Sequence, residues 1–85
     1  MKNVKRKTSA EATAGMDKYI GARIRERRLA LNISQAGLAE TLGVTFQQVQ
    51  KYEYGENRVT AARLFDICKA LKVPLSHMFE RDPTA

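Results

Sequence analysis

Between Phe46 and Tyr54 the chain reads Phe-Gln-Gln-Val-Gln-Lys-Tyr-Glu-Tyr, which places Gln47, Gln48, Gln50 and Lys51 within five positions. A glutamine side chain carries a donor and an acceptor together, so it can pair with N6 and N7 of adenine in a major groove. A lysine can reach O6 and N7 of guanine. Phe46 offers an apolar surface for a thymine methyl group. On a helix turning about 100° per residue, Val49 and Tyr52 fall on one side with Glu53 at its edge. Gln47, Gln50, Lys51 and Tyr54 point the other way, and Phe46 and Gln48 lie on the flanks. An amide-rich helix face is common on protein surfaces, so its place in the chain must strengthen the reading.

Other chemistry is poorly supplied. The 85 residues include one cysteine, Cys68, and one histidine, His77. No intramolecular disulfide or cysteine-rich zinc site can form, and any catalytic triad would have to rest on His77 alone. Cys68 reads as a small core residue and His77 as a surface residue. No enzyme, metal or cofactor is expected. No apolar run approaches the ~20 residues of a membrane span, and the charged N-terminus lacks the apolar segment of a secretory signal. The reduced cytoplasm is the default location.

The elements that must hold the amide face follow from punctuation and period. From Asp17 onward the pattern is helical throughout. A first helix is expected from Asp17, its cap, to Leu31, with Ile20, Ile24 and Leu31 on its inner stripe. Lys18, Arg23 and Arg27 then face water. After Asn32 and Ile33, Ser34 caps a second helix, 35–42, whose apolar face is Leu38, Ala39 and Leu42. Gly43 suits the left-handed residue that ends a helix, and Val44 is the buried residue of the turn. Thr45 caps a third helix, 46–54, that Gly55 ends. Two short helices joined by a turn of about three residues containing glycine have the geometry of a helix-turn-helix. Thr60 caps a fourth helix, 61–71, with Leu64, Phe65, Ile67, Cys68 and Leu71 as core. Pro74 opens a fifth, with Leu75, Met78 and Phe79 apolar.

Charge points the same way. Lysines and arginines number 15 against 9 acids, a net charge of +6, and a pI near 9.8 favours a polyanionic partner. The excess lies in the first 33 residues. Residues 1–16 hold Lys2, Lys5, Arg6 and Lys7 against Glu11, and only Val4 and Met16 are large and apolar. This stretch reads as a disordered basic arm, either wrapping along phosphates or a minor groove or merely solvated. Residues 17–80 are expected to form a helix-turn-helix domain suited to DNA, and 81–85 should fray.

Arg28 breaks the first helix's apolar stripe. A buried unpaired charge is costly, so it needs a partner, and Glu53 is the candidate. The pair would orient the third helix more than stabilise the fold. Gln35 stands at the first turn of helix two, where free N–H groups suit a phosphate. Asn57 and Arg58 could grip a phosphate beyond helix three.

The stretch from Tyr19 to Glu80 resembles the Cro/repressor-type, or lambda-repressor-like, helix-turn-helix family. Its landmarks are RIRERR with a later Ser-Gln, LA-x-x-LGV through the turn, KYEYG, and the closing ALKVPLSHMF. The segment TFQQVQKYEYGENRV looks most like short alphaproteobacterial regulators. The resemblance implies an all-α, compact five-helix bundle that binds a double-stranded DNA operator, usually as a homodimer, to regulate transcription. It maps base contacts to Phe46, Gln47 and Lys51 with Gln50 adjacent, and phosphate contacts to Gln35, Thr45, Gln48, Asn57 and Arg58. The family's salt bridge between helices one and three maps to Arg28 and Glu53. Phe46 departs from a position often polar in relatives, and either reads a methyl group or packs against the turn.

The leading expectation is a repressor reading a near-palindromic operator. The alternative is an antitoxin or partner-recruiting module, with a regulatory protein as second partner. Leu75, Met78 and Phe79 could form a dimer surface or simply close the core. With the chain ending at Ala85, no second domain is expected, so regulation would come through abundance, a partner or dimerisation. RNA binding lacks the usual sheet with stacking aromatics, and a membrane-surface role lacks bulky residues to insert.

Overall fold

A computed structural model describes residues 9–80, with side chains from residue 13 onward. Helix α1 spans Ser9–Ala30, α2 Gln35–Leu42, α3 Phe46–Tyr54 and α4 Ala61–Leu71. A 3-10 turn, Leu75–Phe79, follows. No strand occurs among the described residues. The fold thus has four α-helices rather than the expected five. The last element is five residues long, too short for the α-helical ladder to repay its nucleation, and it closes as a tighter 3-10 turn instead.

Local chemistry sets the boundaries of the three central helices. Ser34, Thr45 and Thr60 have extended backbones, and their hydroxyls accept from the N–H of Gly37, Gln48 and Arg63 respectively. Each satisfies one orphan donor of its helix. Gly43 and Gly55 end α2 and α3 in the left-handed region, at φ 72° and 74°. Lys72 does the same for α4 at φ 59° without glycine's freedom.

Helix α1 is where expectation and structure part. It begins at Ser9, so the reading of residues 1–16 as a disordered arm gives way from Ser9 onward, and Asp17 lies inside the helix rather than capping it. Residues 9–14, Ser-Ala-Glu-Ala-Thr-Ala, carry three alanines, the strongest helix former. The helix is also held near Thr13 and Asp17 by Arg58. Residues 1–8, with Lys2, Lys5, Arg6 and Lys7, and the frayed end expected at 81–85 lie outside the described residues.

The core is built from Ile24 of α1, Leu38 and Ala39 of α2, Val49 and Tyr52 of α3, and Leu64, Ile67, Cys68 and Leu71 of α4, closed by Met78. Phe65, expected in this core, is 56% exposed. It lies with the Lys69 ammonium 5.5 Å from its ring centroid, on the exposed side of α4. Leu75, Met78 and Phe79 do not share a face. Met78 is fully buried, whereas Leu75 and Phe79 are 44% and 41% exposed. Met78 therefore leaves the expected dimer surface, because it is packed into the core cluster formed by the four helices.

Candidate nucleic-acid interface

Helix α3 is held from behind and open in front. Its inner side buries Val49, Tyr52 and Glu53. On the outer side Gln47, Lys51 and Tyr54 are exposed, Phe46 is 40% exposed, and Gln48 and Gln50 are half-buried. The sequence-derived wheel and the structure agree on this division. The side chains of Gln47, Gln48, Gln50 and Lys51 make no hydrogen bond with any described residue. Four polar side chains thus project from one rigid helix with their donors and acceptors uncommitted.

Behind them lies a buried ion pair. Arg28 and Glu53 are 5% and 6% exposed. Arg28 donates from Nε to Glu53 Oε2 at 2.6 Å and from Nη2 to Oε1 at 3.0 Å. This two-pronged geometry is the strongest arrangement available to the pair. Arg28 Nη1 also donates to the Ile33 carbonyl at 2.8 Å, and Gln35 Nε2 donates to Glu53 Oε1 at 3.0 Å. The ion pair therefore joins four segments: the carboxylate links α3 to α1 and α2, and Arg28 links them to the α1–α2 connection. Among the described residues no buried side-chain polar atom lacks a partner, so the desolvation cost of the two charges is offset by bonds at each.

Gly21, which the sequence reading did not single out, makes this docking possible. A Cβ built on Gly21 would lie 2.3 Å from the Tyr52 carbonyl oxygen and 2.6 Å from that of Glu53. The backbones of α1 and α3 touch here, at Glu53 itself on α3 and about two helical turns before Arg28 on α1. A glycine one position after Ile20 on the inner stripe was the available signal.

The candidate phosphate contacts fall into two groups. Thr45 Oγ1 caps α3 by accepting from the Gln48 N–H at 3.1 Å, and its own hydroxyl hydrogen remains to donate outward. Asn57 is half-buried just past α3. Gln35 and Arg58 are already engaged. The Gln35 amide nitrogen is on Glu53, and Arg58 donates to Asp17 Oδ2 at 3.2 Å and to Thr13 Oγ1.

Most basic residues of the inner helices serve the fold. Arg23 and Arg27, expected to face water, do not. Arg23 donates to the His77 carbonyl at 2.7 Å, and Arg27 to the Leu71 carbonyl, the last of α4, at 3.0 Å. Arg63 likewise donates to the Leu42 carbonyl, the last of α2, at 3.1 Å. The Leu71 and Leu42 carbonyls end α-helices, lack intrahelical partners and carry the negative end of the helix dipole, so cations are drawn to them. His77 is half-buried against Arg23, with Nη2 3.2 Å from its Nε2. Burial pushes the Cys68 thiol up from its ordinary value, so it stays protonated and unreactive. No group of three or more metal-ligating side chains occurs among the described residues, and no described helix is long and apolar enough to cross a membrane.

Comparison with known proteins matches this geometry to a family. The helix-turn-helix family model (HTH_3) covers residues 24–78. A transcriptional regulator in the ATPase CF(0) region of Rhodospirillum rubrum is 53% identical over 64 residues, 75% of this chain and 59% of that protein. The HTH-type transcriptional regulator y4aM of Sinorhizobium fredii is 57% identical over 77 residues, 91% of this chain and 53% of that protein. The chain thus spans about half the length of the curated relatives it matches. Among solved structures, the restriction-modification controller protein C.AhdI from Aeromonas hydrophila superposes with a TM-score of 0.70 at 30% identity. The match covers 78% of this chain and 98% of that one. Four helices, three of them capped by Ser34, Thr45 and Thr60, a glycine turn between α2 and α3 and a family match across residues 24–78 together place this chain in the helix-turn-helix family.

Proposed function

We propose that the protein is a cytoplasmic, sequence-specific regulator of transcription, a repressor, that reads double-stranded DNA with α3 in the major groove. The observation that carries this reading is the uncommitted outer face of α3. Gln47 and Lys51, at its start and middle, read base edges, with Gln50 beside them and Phe46 against a thymine methyl. Thr45, Gln48 and Asn57 hold phosphates to either side and set the register. Gln35 contributes from the first turn of α2, positioned by Glu53, and Arg58 from beyond α3.

The relatives support the reading, since curated neighbours are named as transcriptional regulators. One at 32% identity over 62 residues is the cryptic phage CTXphi transcriptional repressor RstR of Vibrio cholerae. A homodimer places two recognition helices about 34 Å apart, so the operator is a near-palindrome with half-sites about one helical turn apart. Leu75 and Phe79 are the exposed apolar residues offered for that dimer.

Selection of bound duplexes from a random DNA pool at physiological salt tests the proposal. A palindromic consensus is the expected result. Binding that fades with salt and enriches no sequence would leave only charge attraction and overturn base reading.

A further inference from the structure

Arg58 is the first basic residue after α3, and its side chain is 55% exposed. A phosphate contact there would be expected to find it free, yet α1 has hold of it. Arg58 Nε is 3.2 Å from Asp17 Oδ2, and its Nη2 donates to Thr13 Oγ1. Thr13 and Asp17 stand four residues apart, hence on one edge of α1. The contact is built in from below as well. The backbone of Gly55 lies so close to Lys18 that a Cβ would fall 2.7–2.9 Å from its atoms. The loop carrying Arg58 is therefore pinned beside that edge of α1.

We propose that Asp17 and Thr13 form a charge gate on Arg58, an inference that rests on the DNA reading above. In the free protein the carboxylate cancels the guanidinium charge. A DNA phosphate arriving at this loop must take Arg58 from Asp17, and must do so next to a carboxylate of its own sign. Only 16% of the Asp17 side chain is exposed, so water screens it weakly. Two of the five N–H donors of Arg58 are occupied, which leaves donors for an incoming phosphate to begin the exchange. The gate lowers sequence-independent affinity, while leaving base reading by α3 untouched. The first turns of α1, outside the residues matched by the family model, thereby tune how tightly the reading helix is held on any duplex.

Binding of the full chain to a mixed-sequence duplex, measured across a salt series, tests this for wild type, Asp17→Asn and Asp66→Asn. Asp66→Asn adds the same formal charge on the exposed side of α4, where Asp66 lies 4.0 Å from Arg63, an arginine held by the Leu42 carbonyl. Asp17→Asn should tighten low-salt binding roughly fivefold and steepen the slope of log K against log salt by about 0.9, the share of one phosphate. Asp66→Asn should change neither by more than a small fraction. Equal effects of the two variants, or no effect of Asp17→Asn, would overturn the gate. A readout on the unsubstituted chain does not depend on either variant folding. The NMR signal of the Arg58 Nε–H should be protected from exchange in the free protein and shift on duplex addition. A signal that the duplex leaves in place would also overturn the gate. If the wild-type chain bound no duplex at any salt, the DNA reading itself would fall, and the gate with it. Failure of the gate alone would leave wild-type binding intact.

Discussion

Helix α1 and the outer face of α3 both carry polar side chains, and these do opposite work. Arg23, Arg27 and Arg28 on α1 are spent on His77, Leu71 and Glu53. Gln47, Gln50 and Lys51 on α3 are spent on nothing among the described residues. The difference teaches that charge is a poor guide to the proposed binding surface. Arginine's planar fork and permanent charge suit it to capping carbonyls and pairing a buried carboxylate. The amides carry no such electrostatic demand, and they can stand exposed and unpaired at little cost until a ligand supplies partners.

If α1 serves structure and α3 serves recognition, substitutions should separate cleanly. The largest effect is expected from Arg28→Ala, which strands a buried Glu53 carboxylate. It should cost about 3–5 kcal/mol of stability, read by denaturant unfolding. Adding Glu53→Leu to an Arg28→Met background should recover most of that loss. A cost under about 1 kcal/mol for Arg28→Ala would mean that water reaches the pair and the division is less sharp.

Gly21→Ala comes next. Its methyl cannot fit against the Tyr52 and Glu53 carbonyls without moving α1 off α3, at about 1–3 kcal/mol. Thermal melting should show this, and a duplex titration should show weaker binding to the degree that α3 has shifted. An unchanged melting temperature would show that the two helices separate easily.

Gln47→Ala should reverse the signature. Affinity for the selected operator should fall by about 1–3 kcal/mol, preference should relax at one base position, and unfolding should not change. Binding identical to wild type across all sequences would remove Gln47 from base reading.

Arg27→Ala gives the smallest effect, about 0.5–1.5 kcal/mol of stability from one lost hydrogen bond to the end of α4. The salt dependence of DNA binding should not move. A shallower salt slope would place Arg27 on the phosphate side and blur the two regions.

Much of this was legible in the chain. Ser34, Gly43, Thr45, Gly55 and Thr60 mark helix ends because their chemistry acts on the backbone within a few residues. The Arg28–Glu53 pairing could be argued too, since each interrupts or borders an apolar stripe and a buried charge demands a partner. What escaped was long-range. Arg23 and Arg27 read as solvent-facing because the carbonyls they cap belong to elements 44 or more residues away. Phe65 read as core because period alone cannot say which side of α4 other helices will cover.

Sequence by itself determined where α2, α3 and α4 begin and end, which side of α3 is apolar, and that its other side carries amides. Those are consequences of local hydrogen bonding and helical period, and need no knowledge of neighbours. Only the tertiary structure decided that α1 fastens Arg58 through Thr13 and Asp17. It alone decided that Gly21 sets the distance between α1 and α3, and that Met78 plugs the core while Leu75 and Phe79 stay outside. Each depends on contacts between residues far apart in the chain, and the energy of such a contact is set by a distance that only packing fixes.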